Sequence, residues 1–229
     1  MQAKNLSGGQ ELICINVDKV YDWIVKEKSF DVTLSGSTIT FNAVPGLPEG
    51  AEVDLTRAKV KCEVTPHPRR PVEILDRDDR PFVIDGTPVT LQQLHIRKNF
   101  IVTICVILAN GTVLTSQTGY NDNPALRISR CETVTMCAPE GTDVEITYTD
   151  LDCFVCTFNI SDDPVTVPAT GIIPIEFDSL TISVVTCQSI QSTFPVTVEF
   201  LAEFCEPRDD LPTECPAPVR PLQCPVVFP

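Results

Sequence analysis

Histidine is scarce in this chain, since only His67 and His95 occur among 229 residues. Imidazole is the side chain that most often transfers protons near neutral pH and binds transition metals, so histidine-based catalysis has little material here. Neither histidine lies in a hydrolase motif, and no G-x-S-x-G nucleophile elbow occurs. We therefore expect a protein that is not an enzyme, with no catalytic residues, no metal site and no cofactor.

Basic side chains are also few. Seventeen Lys and Arg against 31 Asp and Glu give a formal net charge of −14, whereas a nucleic-acid partner requires a basic face. The longest unbroken apolar run, Ile104 to Ala109, is far shorter than a membrane span, and the N-terminal segment has no apolar signal-peptide core. We predict neither a nucleic-acid nor a membrane partner.

Valine, threonine and isoleucine are abundant, and turn residues recur at short intervals, which is typical of an all-β chain. The clearest hairpin is FIVTICVILANGTVLTSQ, residues 100–117, where Asn110-Gly111 favours a type I′ turn. Apolar residues occupy both faces of its first strand, which predicts a central strand covered on both sides.

Further turns are predicted at four places, and one helical turn at residues 123–129. These turns are Ser35-Gly36, Asp76 to Arg80, Ser161 to Pro164 and Gln188 to Thr193. Strands of ordinary length joined by short polar loops favour an antiparallel β-sandwich, either one large or two small.

Composition divides the chain into three parts. We predict an N-terminal arm over residues 1–28, a β-sandwich body over 29–206 and an extended tail over 207–229. The tail prediction rests on the proline- and cysteine-rich sequence that follows Cys205, which suits a polyproline-like conformation. A division of the body near residues 137–141 is left open.

Eleven cysteines are present, and the odd count leaves at least one without an internal partner. The CxxC motif Cys153-Phe-Val-Cys156 lies in a strand pattern that places its thiols on opposite faces, which argues against redox catalysis. A zinc site would need Cys131 and Cys137 as its second pair, and their spacing is loose. Cys105 and Cys187 are expected to be buried as small apolar side chains.

The segment from Glu11 to Lys28 holds the only tryptophan. Helical spacing is present in it, but its β-branched content favours a strand. As a strand, it places its apolar residues on one face and Cys14 on the other. The apolar residues that we expect to pack the arm are Ile13, Ile15, Val17, Tyr21 and Trp23, with Val25 beyond them. The segment is either the first strand of its own sandwich or an arm that adds to the sheet edge of a neighbour, where Cys14 would lock the contact.

The sequence ICINVDKVYDWIV, residues 13–25, resembles the opening segment of the type Cys-x-x-x-x-K-V-Y-D-W-V found in outer-layer proteins of bacterial endospores. The resemblance implies a structural protein of the spore coat, exosporium or appendages. Such proteins are made in the mother-cell cytosol without a signal peptide and are crosslinked through disulfides. The implied location is the spore surface, and the implied partners are other copies of the chain and other spore-surface proteins.

These observations together predict a non-enzymatic structural protein that self-assembles into a disulfide-crosslinked layer or fibre. The candidates for inter-subunit disulfides are Cys14, Cys205, Cys215 and Cys224. Two alternatives stay open. One is an adhesin-like module that binds calcium or carbohydrate through loop carboxylates such as Asp162-Asp163. The other is a phage or viral structural protein.

Overall fold

A computed structural model describes residues 10–118, 123–161 and 163–203. Strands dominate the described chain, and its one helical element is the 3-10 turn Pro124–Leu126. The strands are β1 (Gln10–Asn42), β2 (Glu52–Val53), β3 (Lys59–Pro66), β4 (Val72–Ile84), β5 (Thr87–Ile107), β6 (Val113–Thr115), β7 (Arg127–Met136), β8 (Asp143–Ile160), β9 (Val165–Thr166) and β10 (Ile172–Glu203). The helical turn expected at residues 123–129 is thus confirmed over Pro124–Leu126, whereas residues 127–129 belong to β7.

Two main sheets are built from these strands, and β2 and β9 form a small third one. The first sheet has the order β1-β10-β8, and β8 runs antiparallel to β10. In the second sheet β5 is central. It pairs antiparallel with β3 and β4 along one side and with β7 and β6 along the other. The prediction of a central strand at residue 100 onward is therefore confirmed.

The main core contains residues from both sheets, as expected of an antiparallel β-sandwich. Alternate residues of β3 and β5 are buried, because successive side chains of a strand point to opposite faces. From β5 the core receives Phe100, Val102 and Ile104, and from β10 it receives Ile175 and Phe177. The other face of β5 is half-buried, so this strand is less covered on that side than the sequence predicts.

A disulfide between Cys62 of β3 and Cys153 of β8 crosses this core and joins the two sheets, with 5.7 Å between the Cα atoms. A second, smaller core cluster contains apolar residues of β5, β7 and β10 together with Ala138. Its buried members are Leu94, Ile96, Val134, Met136, Ala138 and Ile190.

Two of the predicted loop positions are confirmed. The chain turns at Asn110-Gly111, but Gly111 alone has a positive φ of 86°, so the turn is not type I′, which needs positive φ at both central residues. Near the predicted turn at Ser161 to Pro164, β8 ends at Ile160 and β9 begins at Val165.

Three of the predicted turns are wrong. Ser35-Gly36, Asp76 to Arg80 and Gln188 to Thr193 lie inside the continuous strands β1, β4 and β10. Most polar residues of these three stretches are exposed or hydrogen-bonded, so they require no turn; the Oγ of Ser192 is buried without a hydrogen-bond partner among the described residues. The hairpin of β4 and β5 instead turns at Asp85-Gly86, where both residues have positive φ.

The contact pattern divides the chain into two units. The smaller contains residues 1–19 and 195–229, and the larger contains Val20–Phe194. Strands β1 and β10 each contribute residues to both units. Strand β1 is continuous through residue 28, and residues 137–141 lie within the larger unit. The arm and tail boundaries stay predictions, and residues 207–229 lie outside the described residues.

Candidate functional site

The described part of the smaller unit is a two-stranded ribbon made of residues 10–19 of β1 and residues 195–203 of β10. Thr197 donates a hydrogen bond from Oγ1 to Oδ1 of Asn16 at 2.7 Å. Two residues earlier in β1, the Cys14 thiol lies 3.9 Å from Oε1 of Glu199. Polar side chains therefore join the two strands of this ribbon at these positions.

Large apolar side chains of the ribbon are exposed to solvent. On β1 these are Ile15 and Val17, and on β10 they are Val198, Phe200 and Leu201, whose exposed fractions lie between 36% and 50%. An isolated pair of strands is marginally stable in water unless an apolar face is covered. Exposed apolar surface on a strand pair is a typical site of protein association.

Within the larger unit, β1 turns its apolar stripe outward. Trp23 and Val25 are 61% and 68% exposed, whereas Ile24 is half-buried and packs against the second core cluster. Asp22 points the same way as Ile24, and its Oδ2 accepts a hydrogen bond from the backbone N of Cys137 at 2.8 Å. Asp22 and Ile24 thus hold this part of β1 against the second core cluster and the residue that follows β7.

The outward side chains of β1 include four of the five residues expected to pack the arm. Ile15, Val17, Tyr21 and Trp23 are exposed, and Ile13 is half-buried. The indole Nε1 of Trp23 donates to Oγ of Ser189 at 2.7 Å, which fixes the orientation of the ring while leaving its face in solvent. What covers these residues stays a prediction.

Strand β1 is an edge strand, because it is the outermost member of the order β1-β10-β8. The expected strand conformation of residues 13–25 is confirmed, and the main-chain partner of β1 is β10 of the same chain. Arg130 donates to the carbonyl of Asp31, and Phe41 bridges to Ser116, so partners occur on the far side near the C-terminal end of β1. In the sheet order of the described strands, β1 has one neighbour, β10.

Among the described residues, six cysteines are free. Cys14, Cys131 and Cys156 are exposed, and Cys105, Cys137 and Cys187 are half-buried. Cys105 and Cys187 are therefore less buried than expected. The CxxC thiols do lie on opposite faces, since Cys153 forms the core disulfide and Cys156 is exposed.

The role of Cys14 between subunits stays a prediction, and Cys205, Cys215 and Cys224 lie outside the described residues. Sequence reasoning did not single out Cys131 and Cys156 as exposed thiols. Side chains three residues apart on a strand point to opposite faces. A buried Cys153 therefore predicts that Cys156 is exposed.

Arginines line one cleft of the larger unit, with a volume of about 720 Å³. Arg97 forms an ion pair with Glu73 at 2.6 Å. Hydrogen bonding to Arg97, opposed by partial desolvation, holds the pKa of the Glu73 carboxyl below its usual range. The cleft is thus partly neutralised by its own carboxylate.

No group of three or more His, Cys, Asp or Glu side chains is arranged to hold a metal ion within the described ranges. In the same part of the chain, no helix has the length and hydrophobicity to cross a membrane.

The fold and these surfaces define an antiparallel β-sandwich protein with an apolar edge strand and exposed thiols. No protein-family model, curated protein or solved structure matches the chain.

Proposed function

We propose that this chain is a non-enzymatic structural protein that self-assembles into a disulfide-crosslinked layer or fibre. The observation that carries the proposal is the exposed apolar stripe on the edge strand β1, with Trp23 at 61% and Val25 at 68% exposure. A second copy of the chain is the partner that we propose for this edge.

Strand addition fits this edge because one contact would both pair the main chain and bury the apolar side chains. Main-chain N–H and C=O groups of an edge strand pair with the added strand, and the outward side chains contribute specificity and apolar burial. In a contact between two chains, the exposed thiol of Cys14 can then form a disulfide, so that dissociation requires reduction.

The proposed location is the spore surface. The segment ICINVDKVYDWIV, which carries the resemblance to endospore outer-layer proteins, lies wholly within β1 and includes Trp23 and Val25. Of the residues that carry the resemblance, Cys14, Tyr21 and Trp23 are exposed, whereas Asp22 and Ile24 are half-buried. An assembly role for the segment explains both features.

The proposal is tested on the full chain by electrophoresis without reductant. We expect a ladder of multimers after air oxidation that collapses to one band when reductant is added. Replacing Cys14, Cys205, Cys215 and Cys224 together by Ser should abolish the ladder. A single monomer band from the oxidised wild type would refute a disulfide-crosslinked assembly.

The matched control is the double variant Cys131→Ser, Cys156→Ser, which removes the other two exposed thiols of the described chain. It should retain the ladder. Substitution is preferable to deletion of residues 1–28, because that deletion also removes Ile24 and Asp22, whose contacts belong to the larger unit.

A further inference from the structure

Three polar side chains meet in the interior of the larger unit. They are Lys98 of β5, Glu132 of β7 and Gln188 of β10. Lys98 is 4% exposed and Gln188 is fully buried. A lysine is almost never buried to this extent unless its amine has a partner.

The hydrogen bonds of this cluster converge on one oxygen atom. Nζ of Lys98 donates to Oε1 of Glu132 at 2.5 Å and also to Oε1 of Gln188. The amide Nε2 of Gln188 donates to the same Oε1 of Glu132 at 3.0 Å. One carboxylate oxygen therefore contacts both the amine and the amide nitrogen, while the amine lies against the amide carbonyl.

Apolar side chains flank the cluster on three strands, and Lys28, Arg130 and Thr186 line a cavity on another side of it. On β5 the flanking inward residues are Ile96 and Phe100, on β7 the next inward residue is Val134, and on β10 it is Ile190. Ile96, Val134 and Ile190 belong to the second core cluster, and Phe100 belongs to the main one. Lys98 and Gln188 thus lie between the two core clusters, in a site of lowered dielectric constant, and half-buried Glu132 borders a cavity.

Burial lowers the pKa of the Lys98 ammonium, the hydrogen bond and charge of Glu132 oppose this effect, and Lys26 and Lys28 lower it further. A lysine with a depressed pKa has a larger fraction of neutral amine, which is the nucleophilic form.

We propose that Lys98 and Gln188 react to form an intramolecular amide bond, with Glu132 transferring the proton. Nζ of neutral Lys98 attacks the side-chain carbon Cδ of Gln188, and Glu132 accepts a proton from Nζ. The same carboxyl then protonates the departing Nε2. The bond from Cδ to Nζ forms, the bond from Cδ to Nε2 breaks, and ammonia leaves.

No oxidant or cofactor is needed, because amine and amide give a new amide and ammonia. The carboxyl returns to its starting protonation state, so Glu132 acts as a general base and then as a general acid. Holding the reactants in contact converts a slow bimolecular reaction into an intramolecular one. A cavity of about 170 Å³ borders Lys98 and Glu132 and provides room for the ammonia that is released.

The bond would join strands of the two main sheets, because β5 belongs to the second sheet and β10 to the first. The residues are 90 positions apart in sequence. It would be a second covalent link between the sheets, and unlike Cys62–Cys153 it would not respond to reductant. The inference does not depend on self-assembly.

The test is mass spectrometry of the full chain after reduction and alkylation, so that disulfides do not alter the mass. We expect the measured mass of the wild type to be lower, by the mass of one ammonia, than the mass calculated for its fully alkylated sequence. Cyclisation of Gln2 or a succinimide at Asn110-Gly111 would also release ammonia, so peptide mapping must locate the loss.

Trypsin makes the location unambiguous. No Lys or Arg lies between residues 131 and 207, so Gln188 falls in the peptide 131–208. Trypsin does not cleave after an acylated lysine, so Lys98 would remain on the peptide 98–127, and the two peptides should be recovered as one branched species. Recovery of separate peptides 99–127 and 131–208 from the wild type would overturn the proposal.

The measured mass of the variant Glu132→Gln should equal the mass calculated for its own sequence, because the variant lacks the carboxyl that transfers the proton. Glu145→Gln on the exposed face of β8 is the matched control and should retain the branched peptide. A branched peptide in Glu132→Gln would exclude the role of Glu132. The wild-type result stands even if Glu132→Gln fails to fold.

Discussion

Tyr148 has a buried phenolic oxygen for which no described residue provides a hydrogen bond. Its ring packs against Phe100 with 5.6 Å between centroids, so the ring contributes to the core while the hydroxyl is unsatisfied. Burial of the phenol, reinforced by the charge of Glu132, raises the pKa of Tyr148. A buried unsatisfied hydroxyl destabilises the folded state.

We therefore predict that Tyr148→Phe stabilises the protein, by up to about 1 kcal/mol at pH 7, because it removes the unsatisfied group and keeps the ring. The effect should grow above pH 10. There the unfolded tyrosine ionises while the folded one remains protonated, so the free energy of unfolding of the wild type falls as pH rises.

Urea unfolding at pH 7 and at pH 11 measures this difference. Tyr21→Phe, which removes a phenol from an exposed side chain, is the control for the loss of a hydroxyl outside the core. Equal pH dependence of the Tyr148→Phe variant and the wild type would contradict the assignment.

At the scale of the element, the two strands β1 and β10 are unusually long, with 33 and 32 residues. Typical strands have about five or six residues. Sequence reasoning applied the ordinary length and so predicted turns at Ser35-Gly36 and at Gln188 to Thr193. Gly36 accommodates a positive φ of 56° inside β1 without ending the strand.

The local turn chemistry of the β4 and β5 hairpin was available in the sequence. Asp-Gly is a preferred type I′ pair, and Asp85-Gly86 joins Ile84 directly to Thr87. The turn was instead predicted at the charged residues Asp76 to Arg80. That run remains extended because Gln92 and Gln93 of β5 hydrogen-bond to Asp79 and Arg80 across the ladder.

The edge role of β1 predicts the effect of a charge on its apolar stripe. Val25→Lys should raise the dissociation constant for self-association about tenfold or more, because a lysine on an edge strand opposes the burial that strand addition requires. A tenfold change corresponds to about 1.4 kcal/mol. Sedimentation velocity in the presence of reductant measures the non-covalent step alone.

Val83→Lys is the matched control, since Val83 is 73% exposed on β4 and Val25 is 68% exposed on β1. It should leave association unchanged. If the two variants weaken association equally, the contact is a general surface property and β1 has no special role.

At the scale of the whole molecule, the disulfide between Cys62 and Cys153 connects the two main sheets. The two cysteines are 91 positions apart in the sequence. The link constrains the unfolded chain more than a short-range one would, because closing a long loop costs more conformational entropy. The two Cα atoms are 5.7 Å apart, which is within the range for a disulfide and closer than the roughly 10 Å between packed sheets, so β3 and β8 approach each other closely at this point.

Cys62→Ala should lower the free energy of unfolding by about 2–5 kcal/mol under oxidising conditions. Guanidinium unfolding with and without reductant checks the cause: reductant should bring the wild type close to the variant and leave the variant almost unchanged. Cys156→Ser, three residues from Cys153 and exposed, should cost less than about 0.5 kcal/mol. A loss in Cys62→Ala that persists undiminished in reductant would point to packing instead of the crosslink.

The sequence by itself determined the β class, the strand at residues 13–25 and the opposed faces of Cys153 and Cys156. These are properties of β-branched composition and of the two-residue period, both of which are local. Only the tertiary structure decided that Cys62 is the partner of Cys153, that β1 turns Trp23 outward, and that Lys98, Glu132 and Gln188 meet. Each of these depends on which strands become neighbours in space, and residues 90 positions apart leave no local trace of their contact.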